Sequence, residues 1–282
     1  MLKIMNKNPS NLYNKVAIIV SSYDGFSDCW EPFLYGFKKY WPHCEFQAYL
    51  ITNFKKSPDE GILKSIQVGE DKGWASNMKK AINSIEAEYI FYLQEDYWLN
   101  KKINRDELID IIQEMIRYDW DYFRLIPSPL PDKNIEGKNY GRTLPKSKYR
   151  ICLQAAIWKK SLLNEILFEN ESGWDFELNS ELRVRDKLIS SFCVNSGSEN
   201  AIMSYCEGTA IRKAKWTRGA LNYIEDENIV LDISKREIES RFETHLLRLG
   251  SKSLIMKIFA FLILRSLQYS KGQRNFISIF KY

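Results

Sequence analysis

Two neighbouring acids, Glu95 and Asp96, follow the apolar run Tyr89 to Leu93 and its polar end residue Gln94. A run dense in β-branched and aromatic residues reads as a buried strand, and the acids arrive where that strand must stop. In open α/β sheets ligands bind beyond the carboxyl ends of strands, so carboxylates there are placed to meet a metal-bound diphosphate. A solvated acidic turn closing an ordinary strand would have the same composition.

The surrounding elements decide how such acids would be held. Lys15 to Ser21 reads as a first buried strand and runs into a polar turn, Ser22-Tyr23-Asp24-Gly25. Trp30 to Tyr40 carries Phe33, Leu34 and Phe37 near helical spacing, and Glu45 to Ile51 supplies a second strand. Gly69 to Asn77 is a turn entering a helix that runs to about Ile85, with the Tyr89 strand directly after it. This alternation predicts an α/β fold with a mostly parallel central sheet flanked by helices.

The order of these pieces resembles a GT-A-fold glycosyltransferase of the family 2 type. It rests on a strand followed by Tyr23-Asp24, then Asp71-Lys72-Gly73-Trp74-Ala75-Ser76-Asn77 before a helix, then a strand followed by Gln94-Glu95-Asp96. The resemblance spans Lys15 to Arg185. It implies that Ser22, Tyr23, Asp24, Asp71, Lys72, Gly73, Trp74, Asn77, Glu95 and Asp96 bind a nucleotide sugar, with Asp96 as ligand of a divalent metal, Mg²⁺ or Mn²⁺. The family's D-x-D stands here as Gln94-Glu95-Asp96, which leaves the last acid in place and puts an amide in the first position.

Farther on, Leu153 to Trp158 and Lys159 to Phe168 read as a strand and a helix, and a further helix begins after Gly173. In the family an acidic motif before a late helix supplies the general base, and Trp174-Asp175-Phe176-Glu177 resembles it. An inverting transfer needs a carboxylate beside the acceptor hydroxyl to take its proton. Asp175 is the first choice for that role and Glu177 the second. The plainer reading places both acids in a helix's first turn, where the macrodipole favours negative charge.

The chain has 282 residues, 45% of them hydrophobic, enough for a large core, and shows no internal repeat. Its aromatic residues are core material or flat faces for a sugar ring, and Trp74 and Trp174 adjoin the polar motifs. The five cysteines lack C-x-x-C spacing, which argues against a zinc cluster or a disulfide framework. With only His43 and His245, a histidine-based site is poorly supported. The polar first residues lack the apolar core of a secretion signal, so the expected home is the cytoplasm.

Two basic tracts could meet phosphate. Pro127 to Arg150 reads as a loop carrying Lys133, Lys138, Arg142, Lys146, Lys148 and Arg150, either over the substrates or as a solvated excursion. Thr209 to Asn222 sets Arg212, Lys213, Lys215 and Arg218 around Trp216. From these tracts and the late motif, Trp174, Lys215, Trp216 and Arg218 are candidates for the acceptor or the leaving diphosphate.

Charge is also segregated along the chain. After Glu243 there is no acid, while seven lysines and arginines follow, and Leu254 to Leu267 is densely apolar but short for a bilayer span. This divides the chain into a catalytic domain, 1–245, and a basic amphipathic helical tail, 246–282. The tail is expected to rest on an anionic membrane surface at the inner face of the cell membrane, with core packing or an oligomer contact as the rival.

The resemblance then implies transfer from a nucleotide-diphosphate sugar, a UDP-sugar first among them, to a glycan or lipid-linked oligosaccharide in cell-surface polysaccharide synthesis. A sugar nucleotidyltransferase would share the sheet and a metal-binding acid, but with a Gly-rich turn after the first strand where this chain has SSYDGFSD. A non-catalytic membrane-associated scaffold is the other alternative. No nucleic-acid partner is expected, because the basic tail interleaves its charge with aliphatics rather than stacking aromatics.

Overall fold

Val16 to Ser21 is buried at all six positions, as a strand covered on both faces must be, and it forms the inner strand β1. The computed structural model of the protein describes residues 12–195, 201–206 and 209–241. Around β1 assemble β2 (Gln47–Thr52), β3 (Lys64–Gln67) and β4 (Tyr89–Gln94), all parallel. The sheet continues through β8 (Ala156–Lys159), β5 (Tyr122–Arg124), β9 (Ser191–Val194), β7 (Tyr140–Arg142) and β6 (Lys133–Asn134). Its order is β3-β2-β1-β4-β8-β5-β9-β7-β6, with β8, antiparallel to β4 and β5, set between them. This is the α/β architecture, a mostly parallel central sheet flanked by helices, that the sequence leads one to expect.

Strand alternation splits the core in two. Val16, Ile18 and Val20 face α1 (Trp30–Tyr40), α3 (Arg105–Tyr118) and α6 (Arg218–Asp226). Ala17 and Ile19 face α2 (Trp74–Asn83), α4 (Lys160–Ile166) and α5 (Gly173–Val184). Phe33, Leu34 and Phe37 on α1, and Met78, Ala81 and Ile82 on α2, supply buried stripes at helical spacing.

Register then fixes the edge where chemistry can occur. Ser21 pairs with Gln94 across β1 and β4, so Ser22 and Glu95 leave the sheet side by side. Because β8 runs the other way, its entry, Leu153 to Ala155, arrives at this same edge. The strand expected from Leu153 begins only at Ala156. The Leu153 carbonyl instead accepts from Gln94 Nε2 at 3.1 Å and from the Tyr97 hydroxyl at 2.9 Å.

The tract Pro127 to Arg150, read as an irregular loop, holds the hairpin β6–β7, paired through β7 to β9. Tyr140 anchors it, buried against Trp120, Phe123 and Phe192. At Gly141 a Cβ would stand 2.4 Å from the Lys133 carbonyl oxygen, so the pairing requires glycine there. The tail 246–282 lies outside the described residues, and no helix among the described residues is long and apolar enough to cross a membrane.

Candidate active site at the carboxyl edge of the sheet

Three turns meet beyond β1, β2 and β3. Asp24 opens the short 3-10 turn Asp24–Cys29, and its carboxylate accepts from the backbone N–H groups of Asn53, Phe54 and Lys55 at 2.8 to 3.1 Å. Asn53 answers by accepting from the Asp24 N–H at 3.0 Å, so the β1 and β2 turns are stapled together. These backbone donors lower the Asp24 carboxyl against the opposing effect of burial. Ser22 accepts from the Trp30 indole at 2.8 Å, and Tyr23 lies 39% exposed with its ring 5.0 Å from Phe26.

The third turn enters α2. Asp71 accepts from the Gly73 N–H at 2.9 Å and from Asn77 Nδ2 at 2.7 Å, while Asn77 Oδ1 accepts from the Lys72 N–H at 3.3 Å. Asn77 is therefore a buried closing residue of the turn, and Asp71 is the member left at the surface. Gly73 sits at φ 86°, a conformation that favours glycine. Trp74 follows, its indole N–H donating to Ser21 Oγ at 2.9 Å and its ring 5.0 Å from Phe176. It wedges α5 against the end of β1.

Glu95 and Asp96 stand between these turns and the segment before α6. Thr209 donates its hydroxyl to Asp96 Oδ2, and the Ala210 N–H donates to the Asp96 carbonyl at 3.0 Å. Asp96 is 7% exposed, and its Oδ1 is buried without a hydrogen-bond partner. Burial pushes its carboxyl up to about 6, against the lowering effects of Thr209, of backbone donors and of Arg236. Glu95, half-buried, is driven well above the carboxylate range, first by desolvation and then by the Asp96 charge beside it.

An orphaned carboxylate oxygen next to a second acid fits a divalent cation. Mg²⁺ in particular uses one or two carboxylates and completes its shell with waters and substrate phosphates. No cluster of three or more His, Cys, Asp or Glu side chains suited to a metal occurs among the described residues.

The late acids separate on α5. Asp175 closes a capping box: its N–H donates to Ser172 Oγ at 3.2 Å, and its Oδ2 accepts from the Ser172 hydroxyl and N–H at 2.7 and 3.2 Å. The carboxylate that is the first choice for proton abstraction thus serves the helix start, as such residues at N3 do. Two residues on, Glu177 Oε1 accepts from the Leu153 N–H at 2.7 Å. Leu153 is the residue whose carbonyl binds Gln94 and Tyr97, so Glu177 joins the edge that carries Glu95 and Asp96. Burial, with the charges of both Asp96 and Glu177 among its causes, raises the Tyr97 hydroxyl.

Among the acceptor or diphosphate candidates, Trp174 is 50% exposed at the first turn of α5. Trp216 is fully buried, its indole donating to the Ile233 carbonyl at 3.1 Å, so it offers no face to a ligand. Its packing on Trp98 makes it core, as large aromatics usually are. Lys215 pairs with Glu237 at 3.1 Å and Arg212 with the buried Glu239 at 3.0 Å. Arg218 heads α6 with its Nε buried and without a hydrogen-bond partner. In the earlier tract, Lys138 is paired with Glu114, and Arg150 is buried, donating to the carbonyls of Val184, Lys187 and Ile189.

One charged residue at this edge has no motif to announce it. Arg236, after the 3-10 turn Ile233–Lys235, donates to both oxygens of Asp28 at 2.6 and 2.8 Å and to the Gly25 carbonyl at 3.0 Å. Its charge lowers Tyr23, Glu95 and Asp96 alike. A cavity lined by Glu88, Asp119, Lys159 and Asn164 opens at the opposite end of β4 and has no part in this site.

No family model matches the chain, and no curated protein matches it. Among solved structures, S. aureus TarS (residues 1–349) is similar, at 17% identity and a TM-score of 0.40, over 64% of this chain and 60% of that one. The mannosyltransferase PcManGT from Pyrobaculum calidifontis, in complex with GDP-Man and Mn²⁺, aligns at 13% identity and TM-score 0.44, over 71% and 58%. The 2-C-methyl-D-erythritol 4-phosphate cytidylyltransferase from Thermus thermophilus aligns at 11% identity and TM-score 0.44, over 76% and 100%. The chain spans less than two thirds of the length of the TarS structures.

Proposed function

We propose that this chain transfers a sugar from a nucleotide-diphosphate donor to an acceptor hydroxyl at the carboxyl edge of its sheet. The observation that carries the reading is the Glu95–Asp96 pair, one carboxylate oxygen of which is buried without a partner, between the β1 turn and the entry to α2. Glu95 and Asp96 would hold a divalent cation, which when bound offsets charge on the leaving diphosphate. Tyr23 and Asp71 face the nucleotide, and the Asp24 staple fixes the turn that carries Tyr23. Arg218, with an unused buried donor, completes the phosphate side.

Glu177 serves as the base. It shares Leu153 with Gln94 and Tyr97, whereas the Asp175 carboxylate closes the helix cap. A positioned base contributes about 10²- to 10⁴-fold in rate. In our reading transfer inverts the anomeric centre, the donor is a UDP-sugar, and the acceptor is a glycan or lipid-linked oligosaccharide presented at a membrane. The catalytic domain ends near residue 245, and the basic tail beyond it makes the peripheral contact with the inner face of the cell membrane.

Thermal-shift titration with UDP, GDP and CDP, each with and without Mn²⁺, tests the donor. A ligand that binds only the native state raises the melting temperature. Incubation with the sugar nucleotide of the base that binds then separates reaction classes by product. Nucleoside diphosphate release supports glycosyl transfer or donor hydrolysis, while turnover of a nucleoside triphosphate and sugar phosphate to pyrophosphate would make the chain a nucleotidyltransferase. Absence of any nucleotide response would end the reading.

A further inference from the structure

We propose that Arg236 is a protein-borne counter-charge for the donor diphosphate, held in reserve by Asp28. This deepens the nucleotide-sugar reading above and rests on it. Around the edge stand Glu95, Asp96 and Asp28, and a diphosphate would add further negative charge to them. A single divalent cation, even with Arg218 on the phosphate side, leaves that assembly anionic, so a further positive group beside it favours donor binding. Guanidinium is suited to the task, since its planar fork matches phosphate oxygens and stays charged at every working pH.

The geometry supplies such a group with donor capacity to spare. Nε and Nη2 of Arg236 are engaged by Asp28 and Gly25, and Nη1 makes no hydrogen bond to any described residue. The side chain is 9% exposed, 4.3 Å from the Phe26 ring and 5.7 Å from that of Trp216. Those two faces fix the guanidinium plane, so little freedom remains to be lost on binding an anion. Phe26 belongs to the turn after β1 and packs on Tyr23, while Trp216 packs on Trp98, whose indole donates to the Glu95 carbonyl at 3.1 Å. The cation is thus built into the wall that carries Tyr23 and Glu95.

Asp28 explains how a cation waits there before a ligand comes. A desolvated guanidinium without an anion would be strongly unfavourable, and the bidentate pair removes that penalty. The pair itself contributes little net stability, because both charges were taken from water to make it. Its consequence is for binding: the Asp28 carboxylate and the diphosphate attract the same guanidinium and repel each other. Neutralising Asp28 should therefore strengthen diphosphate binding, and neutralising Arg236 should weaken it.

The test uses the full chain, Mn²⁺, and whichever of UDP, GDP or CDP binds, with the matching monophosphate as control. Calorimetric titration of Arg236→Gln should show the diphosphate weakened by about tenfold or more, as expected for loss of a charge-assisted contact. The monophosphate should change by less than about threefold. Asp28→Asn should tighten the diphosphate by about three- to tenfold, the range for removing a nearby like charge. Should Arg236→Gln fold poorly, the double variant Asp28→Asn/Arg236→Gln keeps a neutral hydrogen-bonded pair and should still bind the diphosphate more weakly than Asp28→Asn alone. A structural tether would instead weaken or spare both nucleotides alike in both single variants, and that result overturns the proposal. If the wild-type chain binds none of the three diphosphates, the nucleotide-sugar reading falls and takes this one with it. If it binds one and Arg236→Gln binds equally well, only this one falls.

Discussion

Replacing Asp96 with asparagine should make the ligand-free protein more stable and the nucleotide-bound protein less so. Burial pushes this carboxyl to about 6, against about 3.9 in an unfolded chain. About two units at ~1.4 kcal/mol each gives roughly 3 kcal/mol as the cost of keeping Asp96 ionised at neutral pH. Asparagine escapes that cost but keeps a buried polar group short of partners, which returns about 1 to 2 kcal/mol. A net gain of about 1 to 2 kcal/mol remains, or roughly 3 to 6 °C in melting temperature for a domain of this size. The sign with pH follows from the raised folded value. Between about pH 4 and 6 the native state holds more proton than the unfolded one, so this group's contribution to wild-type stability falls as pH rises through that window. Glu95 shifts the same way, through burial and then the Asp96 charge beside it, so its contribution also falls as pH rises. Scanning calorimetry at pH 4.5, 6 and 7.5 should therefore find the advantage of Asp96→Asn smallest at the lowest pH and largest at the highest. With Mn²⁺ and the cognate nucleoside diphosphate, wild type should gain stability and the variant should not. A variant less stable than wild type at pH 7.5, or shifted equally at every pH, would refute the reasoning.

Glu177→Gln should lower turnover by about 10²- to 10⁴-fold while leaving diphosphate affinity near wild type, measured by steady-state kinetics beside calorimetric binding. Asp175→Asn should cost about 0.5 to 2 kcal/mol in urea unfolding through the weakened cap, with turnover largely kept, since its carboxylate serves the helix start. Gly73→Ala forces a β-carbon onto a backbone at φ 86°, which should cost about 1 to 2 kcal/mol and lower nucleotide affinity by displacing the start of α2. Trp216→Ala should destabilise by about 3 to 5 kcal/mol, because the indole is fully buried, and loss of cooperative unfolding in a urea titration is its readout.

What the sequence discloses and what it hides divide along one physical line. β1, α1 and β4 are legible because each is a local pattern: an unbroken apolar run, a stripe at helical spacing, a run stopped by acids. The turn before α2 is legible because Gly73 and Asn77 are residue types that such a turn requires. The hairpin β6–β7 is hidden, since its strands are short and their order comes from Tyr140 packing on Phe192 and Trp120, distant partners that composition does not reveal. Trp216 misleads for the same reason: basic neighbours suggest a binding face, yet Arg212 and Lys215 are paired with Glu239 and Glu237, and the indole turns into the core. Arg236 gives no local signal, because its meaning lies in Asp28, about two hundred residues earlier in the chain.

The case of Asp175 and Glu177 shows how two acids near one helix start come to serve different ends. Both residues sit in the first two turns of α5, and from sequence either carboxylate could face the sheet edge. Two positions correspond to about 200° around a helix, so the pair must point to nearly opposite sides. One side meets Ser172, whose hydroxyl and N–H both seek an acceptor at the helix start. The other meets the Leu153 N–H, left outside the β8 ladder because β8 begins only at Ala156. The entry of that antiparallel strand, brought to the carboxyl edge by its reversed direction, is therefore what engages Glu177 there. A sheet with only parallel strands would bring no strand entry to this edge, so the contact on which we propose Glu177 as the base follows from a feature of topology that no window of sequence around residue 175 contains.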